Sequence, residues 1–65
     1  MLIFVNGDPI TVKAITIAQL IDELGLDRAA AAVERNLVIV PRSLHDQTVL
    51  EAGDRIEIVQ FVGGG

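Results

Sequence analysis

Thr16-Ile17-Ala18-Gln19-Leu20-Ile21-Asp22-Glu23-Leu24-Gly25-Leu26 carries the start, the buried face and the stop of one helix. Thr16 stands at the N-cap and Gln19 follows three residues later, the capping-box pattern in which each side chain accepts the other's backbone N–H. Ile17, Leu20, Ile21 and Leu24 recur at i, i+3, i+4 and i+7, which draws one apolar stripe along the helix. Asp22 and Glu23 lie away from that stripe; being adjacent, they diverge and form no acid–base pair. Gly25 falls where a left-handed residue closes a helix, with Leu26 placed to fold back onto it. The pattern predicts a helix over 17–24 that lays one face on a sheet.

On the N-terminal side, Leu2 to Val5 is a short apolar run of strand formers, followed by Asn6-Gly7-Asp8. Asn-Gly is a strong hairpin signal because both residues tolerate positive φ. Pro9 is acceptable where a strand begins, and Ile10 to Lys13 alternates apolar with polar. A first β-hairpin is predicted.

On the C-terminal side, Ala29 to Ala32 makes a connection, and a third strand is expected from about Ala31 to Glu34. Arg35-Asn36 should turn the chain into a fourth strand, Leu37 to Val40, closed by Pro41. Ser43 to Thr48 is polar and reads as loop with a turn of 3₁₀ helix. Glu51-Ala52-Gly53-Asp54 makes a tight turn into the last strand, Arg55 to Phe61. The order is ββαβββ: an α+β domain with a mixed sheet of four to five strands and one helix across one face. No linker, repeat or second domain interrupts it.

Period-two bookkeeping puts Ile56 and Ile58 on the core face of the last strand, with Arg55, Glu57, Val59 and Phe61 on the other. Either Val59 and Phe61 are apolar on the solvent side, or the strand is buried on both faces. Phe4 lies opposite Ile3 and Val5 and can join them. An exposed apolar patch of that kind suits docking.

The chain then ends Phe61-Val62-Gly63-Gly64-Gly65. Glycine loses the most conformational freedom on ordering, so a glycine run is a poor way to finish a core. It does supply a slim arm with an unhindered carboxylate, reaching roughly 13 Å past Phe61 at about 3.3 Å per residue. Residues 1–61 therefore read as the folded domain and 62–65 as a flexible glycine arm, able to enter a crevice in another protein.

Composition narrows the function classes. The chain has 65 residues, 51% apolar, with a net charge of -4, two aromatics and no cysteine. One small core is affordable. Disulfides, thiolate metal sites and cysteine nucleophiles are excluded. Five scattered basic residues make no footprint for nucleic acid. No run approaches the roughly 20 apolar residues of a membrane span, and a cytoplasmic location is expected. His45, the lone histidine, lacks metal companions and reads as a surface loop residue. Asp46, Glu51 and Asp54 read as loop and turn residues, and Arg42 and Arg55 as candidates for partner contacts. No nucleophile–base pair or metal set appears, so the chain is not expected to be an enzyme.

Several segments taken in order carry a resemblance. They are Val5-Asn6-Gly7, Thr16-Ile17-Ala18-Gln19-Leu20, Val33-Glu34-Arg35-Asn36, Val40-Pro41-Arg42-Ser43, Gly53-Asp54-Arg55-Ile56-Glu57-Ile58-Val59 and Phe61-Val62-Gly63-Gly64-Gly65. Over essentially its whole length the chain resembles the ThiS family, the sulfur carriers of thiamin biosynthesis within the ubiquitin-like β-grasp fold. The resemblance implies a carrier that binds no cofactor of its own. A ubiquitin-activating-like adenylyltransferase would use ATP to adenylate the terminal carboxylate. Sulfur from a cysteine desulfurase route would convert it to a thiocarboxylate, and thiazole synthase would accept the sulfur. By position the thiocarboxylate falls on Gly65, with Gly63 and Gly64 as the threading arm. Phe61 and Val62, with Val59 and Phe4, would meet the partner. The family's common ending is a pair of glycines, matched by Gly64 and Gly65. A monomer is expected when free. The same chemistry would serve a small subunit of molybdopterin synthase or a tRNA-thiolation carrier. A β-grasp interaction module with an inert tail is the reading from another class.

Overall fold

The computed structural model describes residues 1–61, and the expected arm at 62–65 lies outside them. The elements are β1 (Leu2–Val5), β2 (Asp8–Thr11), α1 (Ile17–Glu23), β3 (Ala31–Arg35), β4 (Val38–Val40), a 3₁₀ turn (Arg42–Leu44) and β5 (Arg55–Gln60). The sheet is five-stranded in the order β2-β1-β5-β3-β4. β1 and β5 run parallel at its centre, and the other pairs are antiparallel. This is the expected ββαβββ β-grasp.

α1 forms because both of its ends are satisfied locally. The Gln19 N–H donates to Thr16 Oγ1 (3.2 Å), while Gln19 Oε1 accepts from the Ile15 and Thr16 N–H groups (2.9 and 3.3 Å). At the other end Gly25 takes φ +74°; its N–H donates to the Asp22 carbonyl and the Leu26 N–H to the Ile21 carbonyl. That pair of bonds is the Schellman closure. Glu23 also accepts from the Lys13 and Ala14 N–H groups, tying the segment before the helix to its last turn.

The helix lays Ile17, Leu20 and Ile21 over Ile3 of β1, Ala31 and Val33 of β3 and Ile56 and Ile58 of β5, with Val12, Ala14 and Leu50 closing the margins. Burying each large aliphatic contributes about 1.5–3 kcal/mol. Only one face of the sheet is covered in this way.

Both hairpins use the same tight turn. In β1–β2, Val5 pairs with Asp8 around Asn6 (φ +50°) and Gly7 (φ +89°). In β3–β4, Arg35 pairs with Val38 around Asn36 (φ +51°) and Leu37 (φ +71°). The second turn is therefore Asn36-Leu37, one residue later than expected, and β4 starts at Val38. Two consecutive positive φ values match the twist of the flanking strands, and that match outweighs the strand preference of leucine. Leu37 is 88% exposed, so it gains no burial for its left-handed backbone. Leu37→Gly is expected to stabilise the protein by roughly 0.5–1 kcal/mol, since a left-handed L-residue costs about 1–2 kcal/mol and glycine returns part of that as entropy. Urea denaturation checks this.

A second difference concerns His45, which is buried rather than on the surface. Its Nε2–H donates to the Val40 carbonyl (3.0 Å) and its own carbonyl accepts from the Ala18 N–H (3.1 Å). His45 thus ties β4 to the first turn of α1, through its ring at Val40 and its backbone at Ala18.

Candidate functional site

β5 is the strand that leads to the glycines, and its position is fixed from both sides by asparagine side chains. Asn6 follows β1 with a left-handed backbone (φ +50°), and while the main chain turns away its amide reaches forward along β5. Its Nδ2 donates to the Ile58 carbonyl (3.1 Å) and its Oδ1 accepts from the Ile58 N–H (2.8 Å). The side chain thus continues the parallel ladder after the backbone has left it. On the β3 side, Asn36 Oδ1 accepts from the Arg55 N–H (2.9 Å) and Asn36 Nδ2 donates to Asp54 (3.1 Å).

Asn6→Gly retains the backbone preference and removes only the amide. It should cost about 1–2 kcal/mol for two lost hydrogen bonds. Asn6→Ala should cost about 1 kcal/mol more through left-handed strain. Equilibrium urea unfolding of the two variants separates these terms.

The start of β5 is anchored by a part-buried ion pair. Arg35 Nε donates to Asp54 Oδ2 at 2.8 Å, and the Arg35 Nη2 reaches Glu51 at 3.3 Å. Asp54 is buried and also accepts from the Glu51 N–H (2.8 Å). Burial pushes its carboxyl up, but the hydrogen bonds from Arg35, Glu51 and Asn36 outweigh this and hold it below the usual aspartate range. Asp54 is therefore more than a turn residue. On the helix side, Arg28 holds Asp22 in a fork at 2.6 and 2.9 Å and touches Asp46 at 3.2 Å; the Arg28 hydrogen bonds hold the Asp22 carboxyl low.

With its other face under α1, the sheet leaves one face open. Val59 is 60% and Phe61 66% exposed, so the last strand is buried on one face only. The register sets Val59 opposite Ala32, and Glu57 opposite Glu34, which in turn faces Ile39. The Phe61 N–H donates to the Ala30 carbonyl (2.9 Å), holding the strand to its last described residue. A groove of about 330 Å³ runs along this end, lined in part by Ala32, Glu34, Ile39, Glu57, Val59 and Phe61.

Phe4 is on the same face but does not join that cluster. It pairs with Arg55 and borders a separate groove with Gly7 and Glu57. The polar Glu57 intervenes between it and Val59. Ile39, 75% exposed, is the apolar residue that sequence reasoning missed; period two from the buried side of β4 would have found it once the turn was set at Asn36-Leu37. Val62, Gly63, Gly64 and Gly65 lie outside the described residues. Among the described residues, no three His, Cys, Asp or Glu side chains gather to hold a metal, and no helix is long and apolar enough to cross a membrane.

The ThiS family model matches residues 3–65. The chain belongs to the ThiS family. The crystal structure of the thiamine biosynthesis protein ThiS of Geobacter metallireducens superimposes on this ThiS-family chain with a TM-score of 0.82, at 33% identity over 100% of both chains. A thiazole synthase of Paramagnetospirillum magneticum is 46% identical over 66 residues, covering 100% of this chain and 20% of that protein. A thiazole synthase of Magnetococcus marinus is 41% identical with the same coverage. The chain thus spans about a fifth of the length of those two relatives (20%). The uncharacterized protein ycf40 of Pyropia yezoensis is 34% identical, over 94% of this chain and 87% of its own length.

Proposed function

We propose that this protein is a sulfur carrier for the thiazole of thiamin, with the Gly65 carboxylate as its cargo site. The observation that carries the reading is the family match over residues 3–65, taken with a central strand that delivers Phe61 to the rim of an open, partly apolar sheet face. An α-carboxyl with a reference pKa of about 3.5 is ionised at neutral pH. Its oxygen attacks the α-phosphorus of ATP on a ubiquitin-activating-like adenylyltransferase, and pyrophosphate leaves. The outer sulfur of a persulfide from a cysteine desulfurase route then attacks the acyl carbon and AMP leaves. A thiol attacks the resulting acyl disulfide at the donor's inner sulfur, forms a new disulfide with it, and a thiocarboxylate remains on Gly65. Thiazole synthase accepts that sulfur.

In this reading Gly63 and Gly64 thread the partner's channel, where a Cβ would collide. Phe61, Val62 and Val59 seat the globule, and Phe4 contributes from the neighbouring groove. ATP belongs to the adenylyltransferase, and the free carrier is a cytoplasmic monomer without catalysis of its own. Intact-mass measurement after incubation with the adenylyltransferase, ATP and a sulfur source tests the proposal. The expected product has one oxygen exchanged for sulfur at Gly65 and passes the sulfur to thiazole synthase. An unchanged mass rejects the carrier reading. A thiocarboxylate accepted only by the large subunit of molybdopterin synthase would reassign the pathway.

A further inference from the structure

The centre of the open face breaks a rule that the rest of the fold obeys. Glu34 and Glu57 are direct cross-strand partners on β3 and β5, and like charges placed directly opposite one another destabilise a sheet. Arg42 borders the same groove but pairs with neither glutamate among the described residues. Among the described residues, neither carboxylate takes part in an ion pair within 4.0 Å or a side-chain hydrogen bond. Arg35 faces the other way and is engaged by Asp54 and Glu51. Arg55, two residues from Glu57 along β5 on the same face, forms no ion pair among the described residues. Glu34 is half-buried, so part of the repulsion acts out of reach of solvent screening.

The surroundings indicate what would relieve it. Ile39 flanks Glu34 on one side, and the next row toward Phe61 is Ala32 and Val59. These residues and both glutamates border the same groove. A groove with apolar Ile39, Val59 and Phe61 beside two carboxylates that form no ion pair suits a cation brought in by an apolar surface. An anionic membrane or nucleic acid would be repelled, and a bare metal ion would leave Ile39, Val59 and Phe61 uncovered. A guanidinium has the planar fork to bridge two carboxylates.

We infer that this face docks a protein surface whose arginine, set among apolar side chains, seats between Glu34 and Glu57. Resting on the function proposed above, that surface belongs to the enzyme that activates Gly65. Four residues past Phe61 span about 13 Å when extended, so the enzyme holding Gly65 must lie close to this groove.

The test uses the full chain with Glu34→Gln, Glu57→Gln and the double variant, and Asp8→Asn on the far edge strand as a control for net charge. In the isolated protein the glutamine variants are expected to be at least as stable as the wild type in urea at neutral pH. In adenylation assays with the adenylyltransferase, the KM for each glutamine variant should rise about tenfold or more at low salt, as for truncation of one partner of a buried charge pair. Its kcat should stay within about twofold, and the Asp8→Asn variant should follow the wild type. Glutamine variants that unfold more easily would mean that the carboxylates serve the fold, overturning the inference. So would an unchanged KM alongside normal thiocarboxylate formation, which leaves the carrier reading intact. A wild-type chain that is never adenylated overturns both.

Discussion

Removing Gly65 is expected to slow adenylation by at least about 10²-fold, and removing Gly64 and Gly65 together to abolish it, while the globule stays as stable as before. Deleting one residue draws the carboxylate back by about 3.3 Å. A misplacement of about 1 Å can already cost about 10²-fold in a positioned reaction. Gly64→Ala keeps the length but adds a Cβ one residue from the reacting carbon, and should fall between the two truncations. The core is assembled from residues between Ile3 and Ile58, so the unfolding free energy from urea titration should change by less than about 0.5 kcal/mol in all three variants, as for changes away from packed features. Pyrophosphate exchange measured beside unfolding separates chemistry from folding. A tail-truncated chain adenylated at the wild-type rate would place the activated group elsewhere and support an interaction module with an inert end.

What the sequence disclosed and what it withheld divide along a physical line. The capping box at Thr16 and Gln19, the Gly25 closure and the Asn6-Gly7 hairpin are made by residues within a few positions of one another. Local chemistry decides them, and they stand as expected. The side assignment of Val59 and Phe61 was also legible, because a period of two needs no knowledge of neighbours. The alternative of a strand buried on both faces required a second layer that one helix cannot supply. Three features were hidden because they depend on partners distant in sequence. His45 looked like a loop residue until β4 and α1 closed over it. Leu37 looked like strand until the register set Arg35 opposite Val38. The Glu34–Glu57 opposition exists only because β3 and β5 pair in one register; a shift of one residue would turn one of the two side chains inward. Phe4 shows the converse: its face was readable, but its separation from Val59 by Glu57 was not.

Neutralising Asp54 is expected to be strongly destabilising. Asp54→Asn retains the shape and removes the charge, leaving the Arg35 guanidinium with only the exposed Glu51 carboxylate at 3.3 Å. Breaking a buried pair by removing one member costs about 3–5 kcal/mol. The Arg35 side chain is a quarter exposed (26%) and keeps Glu51, so about 2–3 kcal/mol is the expected loss. A domain of this size has only about 3–10 kcal/mol in total, and Asp54→Ala, which also abandons the Glu51 N–H and the Asn36 amide, should populate unfolded chains without denaturant. The pH dependence fixes the origin of the effect. Burial raises the Asp54 carboxyl pKa, the hydrogen bonds of Arg35, Glu51 and Asn36 lower it by more, and the net displacement is downward. A carboxylate depressed in the folded state contributes stability that is complete above its unfolded pKa of about 3.9 and is lost as pH falls through the lower folded value. The gap between wild type and Asp54→Asn should therefore be constant from neutral pH to about 5 and narrow below about 4. A gap that stayed constant into strong acid would mean that packing, and not the ion pair with Arg35, holds the turn from which β5 sets out toward the glycines.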